Sequence, residues 1–268
     1  MRAIAHISDL HFGRHDPAVA EGLLADLTLE KPDLVAVSGD LTQRARHREF
    51  TAARHFLDRL PAPVIVVPGN HDLSLYNLVR RLFQPLERFR HYISPHQNPF
   101  VADAELAVLG INTARAVSFS NGRISHHQMD AIRSLFGQLA GRPFRVLLSH
   151  HPLTPPPLAP ARAIVGRAEH ALEAIADAGI DLLLTGHYHQ ASSRSVTSYH
   201  LNTKRTVLVS QAGTAISTRR RGEVNSYNLI RIDGHRVSCA QHGWDGAQFV
   251  TTGIEHFSHF DGHWSAHR

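Results

Sequence analysis

Five short apolar runs, Ala3 to Ser8, Leu34 to Ser38, Val64 to Val67, Arg145 to Leu148 and Asp181 to Leu184, are each rich in Val, Ile or Leu and stop abruptly in small or polar residues. Their length and composition are those of buried strands. Between them, Pro17 to Glu30, His47 to Leu60, His126 to Leu139 and Arg167 to Ala178 carry apolar residues at three- and four-residue spacing, which predicts helices. Strands alternating with helices imply an α/β layered core. From Ala191 onward the pattern changes to strand-like runs with short turns between them, Val207 to Val209, Tyr227 to Ile232 and His235 to Ala240, with Asp233-Gly234 as a hairpin turn. The second half is therefore expected to be a mainly antiparallel sheet stacked on the first. No Ser/Gly/Pro linker divides the two, so residues 1–268 are taken as one domain. The proline-rich stretch from Thr154 to Pro160 is expected to be a stiff loop at a pocket rim. The tail from about residue 250 holds four histidines between His256 and His267 without strand context, and is expected to be a mobile end with only adventitious metal affinity.

Asp9 and His11, Asp40, Asn70 and His71, His150 and His151, and His187 and His189 follow immediately after the five runs. In open α/β sheets ligands bind outside the carboxyl ends of the strands, so five strands would deliver these side chains to one edge. Gly39, Gly69 and Gly186 precede three of the groups, where a tight turn lets the backbone swing a short side chain inward. The chain has 22 histidines, so an isolated one carries little weight. Turn chemistry favours Asp, Asn and Gly but has no need of His, and five such groups in register with strand ends point to a metal site. Cys239 is the only cysteine, which excludes thiolate metal sites and intrachain disulfides. Oxygen and nitrogen donors without sulfur suit Mn²⁺, Fe or Zn²⁺ better than Mg²⁺ or Ca²⁺.

Asp9-Leu-His11, Gly39-Asp40, Gly69-Asn-His-Asp72, His150-His151 and Gly186-His-Tyr-His189 resemble, in order, the motif set of the calcineurin-like metallophosphoesterases, over residues 4 to about 190. Ala212-Gly-Thr-Ala215 through Asn225-Ser-Tyr-Asn228 is similar to the closing strands of the bacterial members. The resemblance implies a four-layer αββα sandwich, two stacked mixed β-sheets flanked by helices. It also implies that Asp9, His11 and His189 hold one metal ion, that Asn70, His150 and His187 hold a second, and that Asp40 bridges them. His150 is preferred to His151 because the family ligand stands two residues before the proline, here Pro152. In the same reading His71 protonates or steadies the departing oxygen, with Asp72 orienting its ring, while Arg44, Asn112, Arg115 and His151 are candidate substrate contacts.

Two carboxylates, four neutral imidazoles and an amide leave two divalent ions with a net charge of about +2, enough to bind a phosphate oxygen and lower the pKa of a shared water. The expected reaction is hydrolysis of a phosphodiester by a metal-bridging hydroxide, with two divalent or mixed-valence ions, Mn²⁺ or Fe first and Zn²⁺ next. The short Gly-Asn-His-Asp form and Ser38-Gly-Asp-Leu-Thr42 look most similar to bacterial class III cyclic-nucleotide phosphodiesterases. Alternatives are cleavage of a lipid-linked UDP-sugar pyrophosphate, a nuclease of the same superfamily, and a non-catalytic metal-binding module. A formal charge of +5 attracts small anionic substrates without indicating a stable nucleic-acid complex. Arg219-Arg220-Arg221 could grip phosphate, but is expected to be a solvated turn between strands. With no secretory signal pattern and no membrane-length apolar stretch, the chain is expected to be cytoplasmic, and a homodimer is left open.

Overall fold

The computed structural model describes residues 1–74, 78–118, 121–155, 164–196, 206–220 and 222–267. In chain order the first half runs β1 (Arg2–Ile7), α1 (Pro17–Glu30), β2 (Leu34–Val37), α2 (His47–Leu57), β3 (Val64–Val66), α3 (Leu78–Phe83), α4 (Glu87–Tyr92), β4 (Phe100–Ala102), β5 (Leu106–Ile111) and α5 (His126–Gly137). The second runs β6 (Phe144–Ser149), α6 (Ala168–Asp177), β7 (Leu182–Thr185), β8 (Ser192–Val196), β9 (Val207–Gln211), β10 (Ser226–Asp233), β11 (Arg236–Trp244), β12 (Phe249–Phe260) and β13 (His263–His267). The five expected strands and four expected helices are all present, within a few residues at their ends.

Alternation along the strands builds the layers. In β2, Val35 and Val37 pack with α1 and α2, whereas Leu34 and Ala36 face the opposite way. In β6 and β7, Leu147 and Leu183 pack with α5 and α6, and Val146, Leu148, Leu182 and Leu184 face inward. The inward sets meet in one apolar layer between two sheets, so each strand of the centre is covered on both faces, as its continuous apolar run requires. The result is the four-layer αββα sandwich with two mixed sheets, ordered β13-β12-β11-β10-β1-β2-β3 and β4-β5-β6-β7-β9-β8. Helix starts follow local chemistry: Pro17 opens α1 behind Asp16, whose Oδ1 accepts from the amide of Ala18 at 2.9 Å, and Ser125 and Gln128 cap α5 reciprocally.

Two expectations are corrected. The C-terminal strands do not form the second sheet; β10 pairs antiparallel with β1 from Arg2↔Ile232 to His6↔Asn228 and extends the first sheet, while β4 to β9 make the other. The tail beyond about 250 is not without strand context: β12 and β13 pair from His256↔His267 to Phe260↔His263 and are fastened by the buried side chains of Phe249, Phe257 and Trp264. None of the tail histidines belongs to a group of three converging ligand atoms among the described residues. Asp233 and Arg236 flank a two-residue turn whose first member, Gly234, has φ +57°, so the expected hairpin forms. Residues 156–160 of the proline-rich stretch lie outside the described residues. No helix among the described residues is long and apolar enough to cross a membrane.

Candidate metal centre

The chain reverses sharply after each strand, and the reversals are strained where the candidate ligands sit. Asp9, His11, Asp40, His187 and His189 have φ between +47° and +78°, five of the nine non-glycine residues with positive φ among those described. That conformation costs roughly 1–3 kcal/mol each, persists only where the surroundings enforce it, and clusters at functional sites. Neighbouring backbone supplies the enforcement: the amide of Asp9 donates to Gly39 O at 3.1 Å, that of His11 to Asp40 O at 2.9 Å, and that of Gly186 to His150 O at 3.0 Å. The glycines act partly as expected. Gly39 has φ +89°, but Gly69 has φ −101° and owes its identity to space, since a Cβ there would stand 2.1 Å from Asp40 Oδ1.

Asp9, His11 and His189 form one group of ligand atoms, each within 4.8 Å of the others, and Asp9, Asp40 and His150 form an adjoining one. Asp9 Oδ2 is engaged, accepting from Ser8 Oγ at 2.6 Å and from the His187 amide at 3.0 Å. Its Oδ1 instead faces His11 Nε2 and His189 Nε2, each at 3.6 Å. Asp40 divides its oxygens, with Oδ2 3.7 Å from His11 Nε2 and Oδ1 3.4 Å from His150 Nε2. His150 Nε2 also lies 3.1 Å from Asn70 Oδ1 and 3.2 Å from His187 Nδ1.

These contacts fit cations better than hydrogen bonds. His150 Nδ1 stands 2.7 Å from Ser38 O, a carbonyl that only accepts, so the ring proton belongs on Nδ1 and Nε2 carries a lone pair. Nε2, the Asp40 oxygen and the Asn70 oxygen, the latter two acceptors by nature, then converge lone pair to lone pair. His189 is held by a hydroxyl instead, its Nδ1 2.6 Å from Thr214 Oγ1, which leaves Nε2 toward Asp9. Asp9 Oδ1 and His11 Nε2 are buried with no hydrogen-bond partner among the described residues. Burial alone would raise the Asp9 carboxyl, yet the imidazoles of His189, His11 and His150 hold it well below the usual carboxylate range. Burial would lower His11, but Asp9 and Asp40 raise it, so the site draws positive charge. Burial, with His150 adding to it, pushes His187 down to about 4 and leaves its imidazole neutral near pH 7, the form that binds metal. The donor atoms of Asp9, His11, Asp40, Asn70, His150, His187 and His189 therefore converge as a set that could hold metal ions, and His151 falls in a further group with His150 and His187.

The remaining candidates separate. His71 stands beside the bridging carboxylate, its amide donating to Asp40 Oδ1 at 2.8 Å and its ring edge-on to His11 with centroids 4.9 Å apart. Its ring is not oriented by Asp72, contrary to expectation: Nδ1 lies 2.9 Å from Gln43 O. Asp72 accepts instead from the amides of Leu41, Thr42 and Gly69, at 3.2, 2.9 and 2.9 Å, and so fixes the turn that carries Asp40. Burial and the charge of Asp40 push the Asp72 carboxyl up to about 6. His151 Nδ1 lies 2.8 Å from Thr113 Oγ1, and the ring adjoins that of His187 at 4.7 Å between centroids. Asn112 and Arg115 are tied to their own loop: Asn112 Nδ2 donates to Gln97 at 3.0 Å, and Arg115 donates to Asn112 O at 2.9 Å and to Gln128 Oε1 at 2.7 Å. Arg44 is exposed, with its amide donating to Glu49 at 2.8 Å.

Sequence reasoning passed over Ser38, Gln43, Thr113 and Thr214, which set imidazole orientation; Thr214 alone had a hint, lying within Gly213-Thr-Ala215. Arg219 was expected in a solvated turn, yet its Nη1 reaches His71 Nε2 at 2.9 Å. Arg221 lies outside the described residues.

Comparison with known proteins places these features among relatives. The sequence model of the calcineurin-like phosphoesterase family matches residues 2–191. A protein of Synechococcus sp. named a probable cyclic nucleotide phosphodiesterase is 26% identical over 214 residues, which is 74% of this chain and 78% of that one. The glycerophosphodiester phosphodiesterase GpdQ of Enterobacter lignolyticus is 38% identical over 81 residues, 26% of this chain and 29% of that protein. Among solved structures, a dimetal phosphatase from Danio rerio superposes with a TM-score of 0.65 at 13% identity, over 93% of this chain and 98% of that one, which speaks for the fold.

Proposed function

The chain belongs to the calcineurin-like phosphoesterase family of metal-dependent hydrolases, and we propose that within it this protein cleaves small phosphodiesters, with 3′,5′-cyclic nucleotides as the substrate class. The observation that carries the reading is the approach of His150 Nε2 to Asp40 Oδ1, Asn70 Oδ1 and His187 Nδ1, all within 3.4 Å with no proton to share among the first three. Two bound ions supply Lewis acidity toward a phosphoryl oxygen and lower the pKa of water toward neutrality.

The protein's part is geometric. Asp40 offers one oxygen to each half of the site, and Ser38 O and Thr214 Oγ1 hold the His150 and His189 rings with Nε2 inward. Asp72 keeps the Asp40 turn in place from the opposite side. Asp9, His11, Asp40, His150 and His189 are buried, while His71 and His187 are half-buried and form the open rim. His71 faces this rim, with Nδ1 donating to Gln43 O and Nε2 accepting from Arg219 Nη1, and is the residue placed to steady the departing oxygen.

The cyclic-nucleotide substrate is supported by the Synechococcus relative, which is similar over three quarters of the chain. A glycerophosphodiester is the second reading, favoured by the higher identity to GpdQ over 81 residues. The test strips the protein with chelator, restores Mn²⁺, Fe²⁺ or Zn²⁺ separately, and compares rates on an aryl phosphodiester, an aryl monoester, 3′,5′-cyclic AMP, 2′,3′-cyclic AMP and glycerophosphocholine. Turnover of 3′,5′-cyclic AMP above the other natural diesters is expected, and a monoester preference overturns the proposal. Asp40→Ala is expected to lose both ions, whereas His71→Ala keeps them and loses rate about 10²-fold or more; equal metal loss in both contradicts the roles given.

A further inference from the structure

Arg219 opens an arginine run that the metal centre does not explain. The segment leading to it is built, not loose: Ala215, Ile216 and Ser217 are fully buried. It is laced to the turn that follows His11. The Thr218 amide donates to Arg14 O at 2.8 Å, the hydroxyls of Ser217 and Thr218 donate to the same carbonyl at 3.1 and 2.9 Å, and the Asp16 amide donates to Ile216 O at 2.8 Å. Asn225 Nδ2 holds Ser217 O at 2.8 Å, and Ser217 Oγ accepts from the Arg219 amide at 3.0 Å. A side chain leaving such a base is aimed by it. The aim brings the guanidinium of Arg219 to His71 Nε2, across 148 positions of sequence.

The contact is unusual in its charge. Arg219 has no carboxylate partner among the described residues, and its charge depresses the basicity of both His71 and His11. A permanent cation has thus been placed one imidazole away from Asp40, beside a centre that is itself in cationic excess once metals are bound. Surface arginines normally seek carboxylates, and none among the described residues offsets this one. A phosphate ester would: the guanidinium has five N–H donors in a planar fork, Nη1 is engaged with His71, and the rest match phosphate oxygens.

We propose that Arg219 is a substrate-contacting residue, its guanidinium holding an anionic oxygen of the phosphate ester at the open rim, beside His71 and over the Asp9, His11 and Asp40 side of the centre. The identity of the ester rests on the phosphodiesterase reading; the anion site does not. Arg220, the next residue, is exposed and supplies an internal control of equal charge.

The experiment uses the metal-loaded protein and inorganic phosphate as probe, with affinity measured by calorimetry and metal content by elemental analysis. Arg219→Ala is expected to bind phosphate about 10-fold or more weakly with both metals retained. Arg219→Lys, which keeps the charge but not the fork, should fall between, and Arg220→Ala should match the parent. In the metal-free protein, the ¹⁵N shift of His71 Nε2 should move in Arg219→Ala and stay put in Arg220→Ala. Unchanged phosphate affinity in Arg219→Ala, an equal loss in Arg220→Ala, or loss of metal in both Arg219 variants would each overturn the proposal. Phosphate binding that depends on Arg219 in a protein that turns over no diester would sink the function proposed above and leave the anion site standing.

Discussion

Histidines in this chain differ by what surrounds the imidazole. His11 is drawn upward by two carboxylates, His187 is held neutral by burial, and His6, fully buried in β1 with Nε2 2.9 Å from Ser38 Oγ, is pushed by burial down to about 3. The sign of the His6 effect on stability follows from linkage. Its folded pKa lies below the unfolded value, so the unfolded chain takes up the proton first. The associated stability is whole above about pH 6.5 and is lost as pH falls toward 3, at up to about 1.4 kcal/mol per pH unit. Urea unfolding of the metal-free protein at pH 7.5, 6 and 5 should therefore show a shallower loss in His6→Gln than in the parent. Identical slopes would place the acid sensitivity elsewhere. The convergence of Asp9, His11, Asp40, His150 and His189 was legible because His directly after an apolar run has no place in turn chemistry, and several such groups stand in register with strand ends. The orienting role given to Asp72 was not, since adjacency to His71 says nothing about where the next carboxylate points, and it points back to the turn after β2.

Among the elements, strands covered on both faces announced themselves and strands with a face left to solvent did not. β2 is apolar throughout, and β7 up to its last residue, Thr185, because helices cover one face and the second sheet the other. β12 has six consecutive exposed residues, 251–256, so its sequence carries no continuous apolar run. Its order comes from a few anchors: Trp264 is 2% exposed, lies against Phe144 at 5.9 Å between ring centroids, and closes the end of the inter-sheet core. Truncating a buried tryptophan of this kind costs about 3–5 kcal/mol. Trp264→Ala is thus expected to lower the thermal midpoint by several degrees in a calorimetric scan, a shift that an end without docked strands would not show.

In the molecule as a whole, the candidate metal centre spans the seam between the two sheets. Asp9, Asp40 and Asn70 follow strands β1, β2 and β3 of one sheet, whereas His150, His187 and His189 follow β6 and β7 of the other. Ions held between these groups would cross-link the sheets and, binding only the folded chain, should add about 2.7 kcal/mol per site at saturation a hundredfold above the dissociation constant. The metal-loaded protein is expected to melt above the chelated one, with the difference abolished in Asp40→Ala; a midpoint indifferent to metal would mean that the halves are not joined through this centre.

The amino-acid order alone determined the strands and helices of the layered α/β core, because strand period, helix period and the break at each strand end are local properties carried by neighbouring residues, and the motif resemblance implied the αββα layering. Tertiary packing alone decided that β10 takes the free edge of β1, that the histidine-bearing tail closes the same sheet, and that Arg219 meets His71. Those outcomes depend on which distant backbone edges and loops share space once the core has formed, and no residue encodes its partner 148 or 222 positions away by its own chemistry.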